Sequence, residues 1–310
     1  MARRKKGRPL NGWLNVDKPA GMTSSDVVNK LRRAFDAQKA GHGGTLDPLA
    51  TGILPVAFGE ATKTVPNLMD AEKVYRFTAK WGEARATDDA EGAVTATSDV
   101  RPDEASIRDG LKAFEGEIWQ KPPAFSAIKV DGERAYDLAR AGEAVDLAPR
   151  PVFIARAELI AVPDSDHAVF EIECGKGTYV RALVRDLAEA LGTYGHVTSL
   201  RRTRVGPFDE SDAVPLDHLL GLVHSPAAET HLLPVETPLD DIPAVPITVN
   251  DAGRLRNGQA IFLRAGMNVP PSVLGADDDN VLLCTLGRGR PVAVCALQAG
   301  ELRPLRVFNL

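Results

Sequence analysis

The period of the apolar positions changes several times along the chain, and each change predicts an element. Val27, Val28, Leu31 and Phe35 recur at helical spacing behind the hydroxyls of Thr23, Ser24 and Ser25, which predicts a capped helix. Short apolar runs at 13–16 and 53–58 predict strands on either side of it. Over 74–81, Tyr75, Phe77, Ala79 and Trp81 alternate, so one face of a strand is aromatic. Pro102 precedes a helix with Ile107, Leu111 and Phe114 turned inward, and 125–130 reads as a strand closed by an Asp131-Gly132 turn before a helix over 134–141. A strand over 167–174, a Gly175-Lys176-Gly177 turn and a helix over 179–191 follow; that helix turns Val180, Leu183, Val184, Leu187 and Leu191 inward and is stopped by Gly192. Residues 197–205 read as a basic strand.

Pro234, Pro238, Pro243 and Pro246 mark a shift in composition, which places a boundary near Pro243. Beyond it, strands at 280–285 and 291–297 without a long helix suit a small β-rich domain. Strands and helices that mix without a strict β-α-β rhythm predict an α+β fold, with one mixed or antiparallel sheet flanked by helices. No internal repeat is present.

Composition narrows the class. With 310 residues, 44% hydrophobic and 25% charged, the chain has the make-up of a soluble globular protein large enough for a main core and a smaller appendage. Cys174, Cys284 and Cys295 show no Cys-x-x-Cys spacing, so neither a disulfide framework nor a zinc site is expected, and free thiols fit a reducing cytoplasm. The basic tail, residues 1–9, is followed by no apolar run long enough for a signal peptide or membrane span, so a cytoplasmic location away from membranes is expected. A net charge of -5 argues against indiscriminate polyanion binding. Local cations at 30–33 and 201–204 favour a shaped RNA instead.

The candidate chemistry centres on 41–52, Gly-His-Gly-Gly-Thr-Leu-Asp-Pro-Leu-Ala-Thr-Gly, where glycines make regular structure unfavourable around His42 and Asp47. Gly41, Gly43 and Gly44 permit positive φ and close approach of a ligand, and Pro48 biases Asp47 towards an extended conformation. Alone, this is a glycine turn with a carboxylate. Further motifs stand at 15–21 (Asn-Val-Asp-Lys-Pro-Ala-Gly), 73–76 (Lys-Val-Tyr-Arg), 122–129, 175–181 (Gly-Lys-Gly-Thr-Tyr-Val-Arg) and 196–202. Together they resemble the TruB family of bacterial tRNA pseudouridine synthases.

The resemblance implies the pseudouridine synthase catalytic fold over 10–240 and a PUA-like RNA-binding domain over 245–310. It implies conversion of uridine to pseudouridine at position 55 in the tRNA T-loop by base flipping, with help in tRNA folding as an accompanying role. Asp47 is then the essential catalytic carboxylate, Arg181 its partner, and Tyr75 both the stacking surface for the base and a proton acceptor. Leu200 floors the uracil pocket, Lys18 supports the loop from below, and Lys18, His42 and Tyr179 count among the substrate-binding residues. The reaction gains and loses no group, so neither cofactor nor metal is expected; the expected partner is the T-stem-loop, met by a monomer without an obligatory protein partner. At 81–89 the chain departs from the family pattern, carrying Arg85 and Ala86 in place of threonine and aspartate. A guide-RNA-dependent relative, an RNA chaperone that needs no Asp47, and a glycosidase-type hydrolase are the competing readings; the hydrolase needs a second positioned carboxylate, for which the sequence offers no candidate.

Overall fold

Strand Gly12–Lys18 is buried at nearly every position because both of its faces are covered. Leu14 and Val16 join the main core, with the inward residues of helices Ser24–Ala34, Glu104–Leu111 and Val180–Ala190, while Trp13 joins a second cluster on the other face. The computed structural model describes all residues except 1–6, 127, 131, 142, 144, 223–225, 265, 266, 268, 270–279 and 288. Six residues of the basic tail and Asp131 of the expected turn therefore lie outside the described residues.

Among the described residues the main sheet has ten strands, eight along its path and two, Ala40–His42 and Phe208–Asp209, paired beside it. Its path runs Val214–Pro215, Gly12–Lys18, Thr51–Phe58, Gly195–Val205, Lys73–Trp81, His167–Cys174, Arg150–Asp164 and Gly116–Gln120. Gly12–Lys18 with Val214–Pro215, and Thr51–Phe58 with Gly195–Val205, are parallel; the other neighbours along this path are antiparallel, so the sheet is mixed. The aromatic alternation over 74–81 does what the pattern predicts: Phe77, Ala79 and Trp81 are buried and Tyr75 packs partly against them.

The helix over 24–34 carries a full capping box, in which Thr23 accepts from the Asp26 N–H and Asp26 reaches back to Thr23. Gly192 takes φ +73° just past the helix Val180–Ala190. Other expectations fail. Among the described residues of 125–130 only Lys129–Val130 is strand, paired with Glu133–Arg134, and Ala127 lies outside the described residues. The helix over 104–111 passes into a 3-10 turn at Lys112–Phe114, so Phe114 is only partly buried. Strands Gly116–Gln120 and Arg150–Asp164 were not anticipated; the register of the second slips three times against His167–Cys174, and bulges of that kind break the period-two signal.

A second sheet follows the composition shift, in the order Ala244–Pro246, Asn280–Leu286, Arg290–Gln298, Glu301–Val307 and Ile261–Phe262. Helix Val249–Arg256, opened by a Thr248/Asp251 capping box, packs Ala252 and Leu255 into its core. Leu283, Val294 and Phe308 reach the cluster that holds Trp13 and Ile53, so the two sheets share apolar contacts.

Candidate active site

Between strands Ala40–His42 and Thr51–Phe58 the chain has no regular structure from Gly43 to Ala50, a shorter loop than the glycine spacing suggested, since Gly41, His42, Thr51 and Gly52 end strands. Of its glycines, Gly44 takes φ +130°, whereas Gly43 matters for space: a Cβ there would lie 2.6 Å from Leu68 Cδ1. Buried groups hold the loop from behind. Lys18, with no exposed surface, donates from Nζ to the carbonyls of Pro19 (3.0 Å), Met22 (2.7 Å) and Pro48 (3.2 Å). Burial lowers its pKa to about 8, against the pull of the Asp47 carboxylate. Arg202, 1% exposed, donates to Ile53 O (2.9 Å), Gly44 O (3.0 Å) and Thr45 O (3.3 Å). The Ser24 hydroxyl accepts from Leu46 N–H at 2.8 Å and donates to Leu46 O at 3.1 Å.

Held in this way, the loop presents Asp47 to Arg181. Arg181 Nε donates to Asp47 Oδ2 at 2.9 Å and Nη2 to Oδ1 at 3.1 Å, a two-pronged fork that fixes the carboxylate in plane. The guanidinium is almost wholly buried while the carboxylate is about one-third exposed (4% and 32% of side-chain surface). The same guanidinium donates to Thr87 O and Phe125 O at 2.9 Å each, and Asp89 Oδ2 lies 3.7 Å from Nη1. Arg181 occupies the first turn of helix Val180–Ala190, whose start is clamped at Tyr179: Gln120 Oε1 accepts its N–H at 2.8 Å and Gln120 Nε2 donates to its carbonyl at 3.1 Å.

A cavity of about 570 Å³ opens in front of this pair, lined by Asp47, Tyr75, Tyr179, Arg181, Leu200 and Arg202 among others. Leu200 and Arg202 lie directly across from Phe77 and Tyr75 on the neighbouring strand. Burial raises the Tyr75 phenol pKa and the Arg202 charge opposes the rise; burial also raises that of Tyr179.

Lys18 and His42, also expected among the substrate-binding residues, are not among the residues that line this cavity. Lys18 lies behind the loop, its ammonium committed to carbonyls, as a support rather than a lining group. His42 pairs with Val56 in the sheet, away from the cavity lining; among the described residues its buried Nδ1 has no hydrogen-bond partner, and burial followed by the Arg202 charge lowers its pKa.

The basic strand also reads differently in place. Arg201 pairs with Asp17 (2.9 Å) and Glu210, Arg204 with Glu173, and Arg202 is internal, so these cations serve the fold rather than forming an open phosphate patch. At the departure, Arg85 turns to Ala90 O (3.2 Å), Gly92 O (3.1 Å) and Glu83 (2.8 Å), closing its own loop rather than facing the cavity. That loop, with Asp88 at φ +58°, delivers the Thr87 carbonyl and Asp89 to Arg181. Gln120, Arg202, Ser24 and Thr87 were missed by sequence reasoning because their roles run through backbone partners that no motif displays. Among the described residues, no group of three or more His, Cys, Asp or Glu could hold a metal ion, and no helix is long and apolar enough to cross a membrane.

The N-terminal domain of the TruB family pseudouridylate synthases matches residues 32–180, and the C-terminal domain of tRNA pseudouridylate synthase B matches residues 181–240. The chain belongs to the TruB family. It is 55% identical to tRNA pseudouridine synthase B of Gluconacetobacter diazotrophicus, over 99% of this chain and 100% of the relative. It is 55% identical to the protein of the same name from Caulobacter vibrioides, over the whole of both chains. Among solved structures it is similar to a chain of an H/ACA ribonucleoprotein bound to a substrate RNA containing 2′-deoxyuridine (TM-score 0.76, 23% identity, 100% of this chain and 92% of that one). A second likeness is to a chain of the archaeal box H/ACA Nop10-Cbf5 complex (TM-score 0.74, 24% identity, 100% and 93%). Both show the shared fold. The family match divides at 180/181, inside the helix that carries Arg181, so that division cuts through the main sheet's own packing.

Proposed function

We propose that this protein isomerises uridine to pseudouridine in the T-loop of tRNA, with Asp47 as the acting carboxylate. The observation that carries this reading is the fork between Asp47 and Arg181, set at a cavity with a phenol and a leucine in its walls. Tyr75 offers the uracil ring an aromatic face and Leu200 an apolar one, both in the cavity wall, and extrusion from a structured loop costs a few kcal/mol that stacking on a phenol helps to recover. Asp47 then meets the sugar of the extruded nucleotide. The N1 to C1′ bond breaks, the uracil turns in the pocket, C5 joins C1′, and the C5 proton leaves while N1 gains one. Attack on C1′, addition at C6 and deprotonation of the sugar are all within the reach of a carboxylate.

The Tyr75 phenol is neutral near pH 7 and burial raises its pKa further, which suits stacking; taking the C5 proton requires the ionised form that the Arg202 charge favours. Lys18 and Ser24 act as positioning residues beneath the loop, and Tyr179 lines the pocket. Residues 10–240 serve as the catalytic domain and 245–310 as a PUA-like module that extends the RNA footprint. The protein works as a cytoplasmic monomer without cofactor, metal or obligatory protein partner, and promotes tRNA folding as it opens and releases the T-arm.

The test is release of tritium from C5-labelled T-arm RNA. Wild type releases tritium from bare RNA, and Asp47→Asn binds the RNA without releasing any. Turnover by a folded Asp47→Asn protein would overturn the assignment, and activity that appears only with added guide RNA and partner proteins would favour the guide-dependent reading. Annealing by the inactive variant measures the folding role separately.

A further inference from the structure

The chain has three tryptophans, and the structure buries Trp13 and Trp81 while leaving Trp119 70% exposed. Trp119 sits on Gly116–Gln120, the edge strand of the main sheet, directly across from Pro151; on the same face Phe153, two residues on, is 52% exposed. An exposed aromatic patch on a sheet edge invites association and so points to an occupant.

The patch is continuous with the cavity. Pro151 and its neighbour Arg150 line the cavity, and the Phe153 carbonyl accepts from the N–H of Gly175, which begins the cavity-lining loop 175–178. Charge along the patch is graded. Arg150 and Lys176 stand at the cavity end, Lys176 in an exposed pair with Asp70 that water screens, whereas Glu117 faces Phe153 at the far end. A polyanion crossing this rim therefore meets Arg150 and Lys176 beside the cavity and the aromatic faces of Trp119 and Phe153 further along.

We propose that Trp119, Pro151 and Phe153 form a stacking platform for an unpaired base of the substrate RNA, just outside the pocket that takes the target base. The inference rests on the reading that the cavity acts on RNA. Every base has a π-face, so the platform adds affinity and holds the register of the bound hairpin without reading its sequence.

Tryptophan emission tests it in the full-length protein, because iodide reaches Trp119 and not the two buried tryptophans. A T-arm hairpin shields the iodide-accessible emission, Trp119→Ala raises Kd and KM for the hairpin about tenfold, with the loss in KM rather than in kcat, and Trp119→Phe restores binding to within about threefold. Unchanged iodide access at saturating RNA, or wild-type affinity in Trp119→Ala, overturns the platform. Shielding that grows with protein concentration in the absence of RNA overturns it too, assigning the face to a second copy of the chain. Filter binding is read separately from tritium release, so a protein that binds the hairpin with Trp119 shielded yet releases no tritium loses the isomerase reading and keeps the platform.

Discussion

Gly52 and Arg202 pair across parallel strands so closely that a Cβ on the glycine would lie 2.1 Å from the Arg202 carbonyl oxygen. Gly52 also takes φ +98°, in the region that side chains avoid. Gly52→Ala therefore strains the backbone and separates the strands, and is expected to cost about 3 kcal/mol or more in urea unfolding. Gly132→Ala is the control: its φ is +95° with no atom within 4 Å of the new Cβ, and about 1 kcal/mol is expected.

The Asp47–Arg181 fork depends on guanidinium geometry as well as charge. Arg181→Lys keeps the charge and loses the second prong, so kcat is expected to fall about 100-fold while the RNA Kd stays within about threefold. Arg181→Met also strands the Thr87 and Phe125 carbonyls, and stability should drop by about 2 to 4 kcal/mol. Single-turnover kinetics beside denaturant melts separate the two effects.

Lys18 gives a pH signature. Its folded pKa of about 8 lies below the ordinary value of 10.5, so between those limits the unfolded chain binds the extra proton. Stability relative to Lys18→Met should therefore rise with pH from about 8 to about 10.5, by up to about 3 kcal/mol, and show no relative slope below about 7. A difference curve that falls across that window would show that the three carbonyls hold the ammonium more firmly than burial expels it.

Tyr75 separates stacking from proton transfer. Tyr75→Phe keeps the ring, so RNA affinity is expected to stay within about threefold while kcat falls about 100-fold or more. Tyr75→Ala should lose both, with Kd weakened about tenfold. Equal kcat in wild type and Tyr75→Phe would confine the residue to stacking.

The sequence displays what is local and hides what is carried between segments. The capping hydroxyl of Thr23, the aromatic face of 74–81 and the turn at Gly192 follow from spacing alone, and the structure has all three. Asp47 and Arg181, 134 residues apart, are joined by motif resemblance and not by periodicity. Strand Arg150–Asp164 escapes because its bulges break alternation, and the role of Arg202 escapes because an arginine in a basic run looks like surface until its carbonyl partners are in place. For Lys18 the resemblance implies both loop support and substrate contact, and its three carbonyl bonds fit the first of these.

The position of strand Gly195–Val205 constrains the order of assembly. It lies between Thr51–Phe58 and Lys73–Trp81 and brings the Arg202 bond to Thr45, 157 residues away in the chain. A chain growing from its N-terminus has made its glycine loop long before it makes this tether, and must keep a gap in the sheet open until the late strand arrives. Synthesis that stalls before residue 195 leaves unpaired edges on both flanking strands and no assembled site. Nascent fragments of this protein should therefore be inactive and prone to aggregate, with both properties reversing once that strand is inserted.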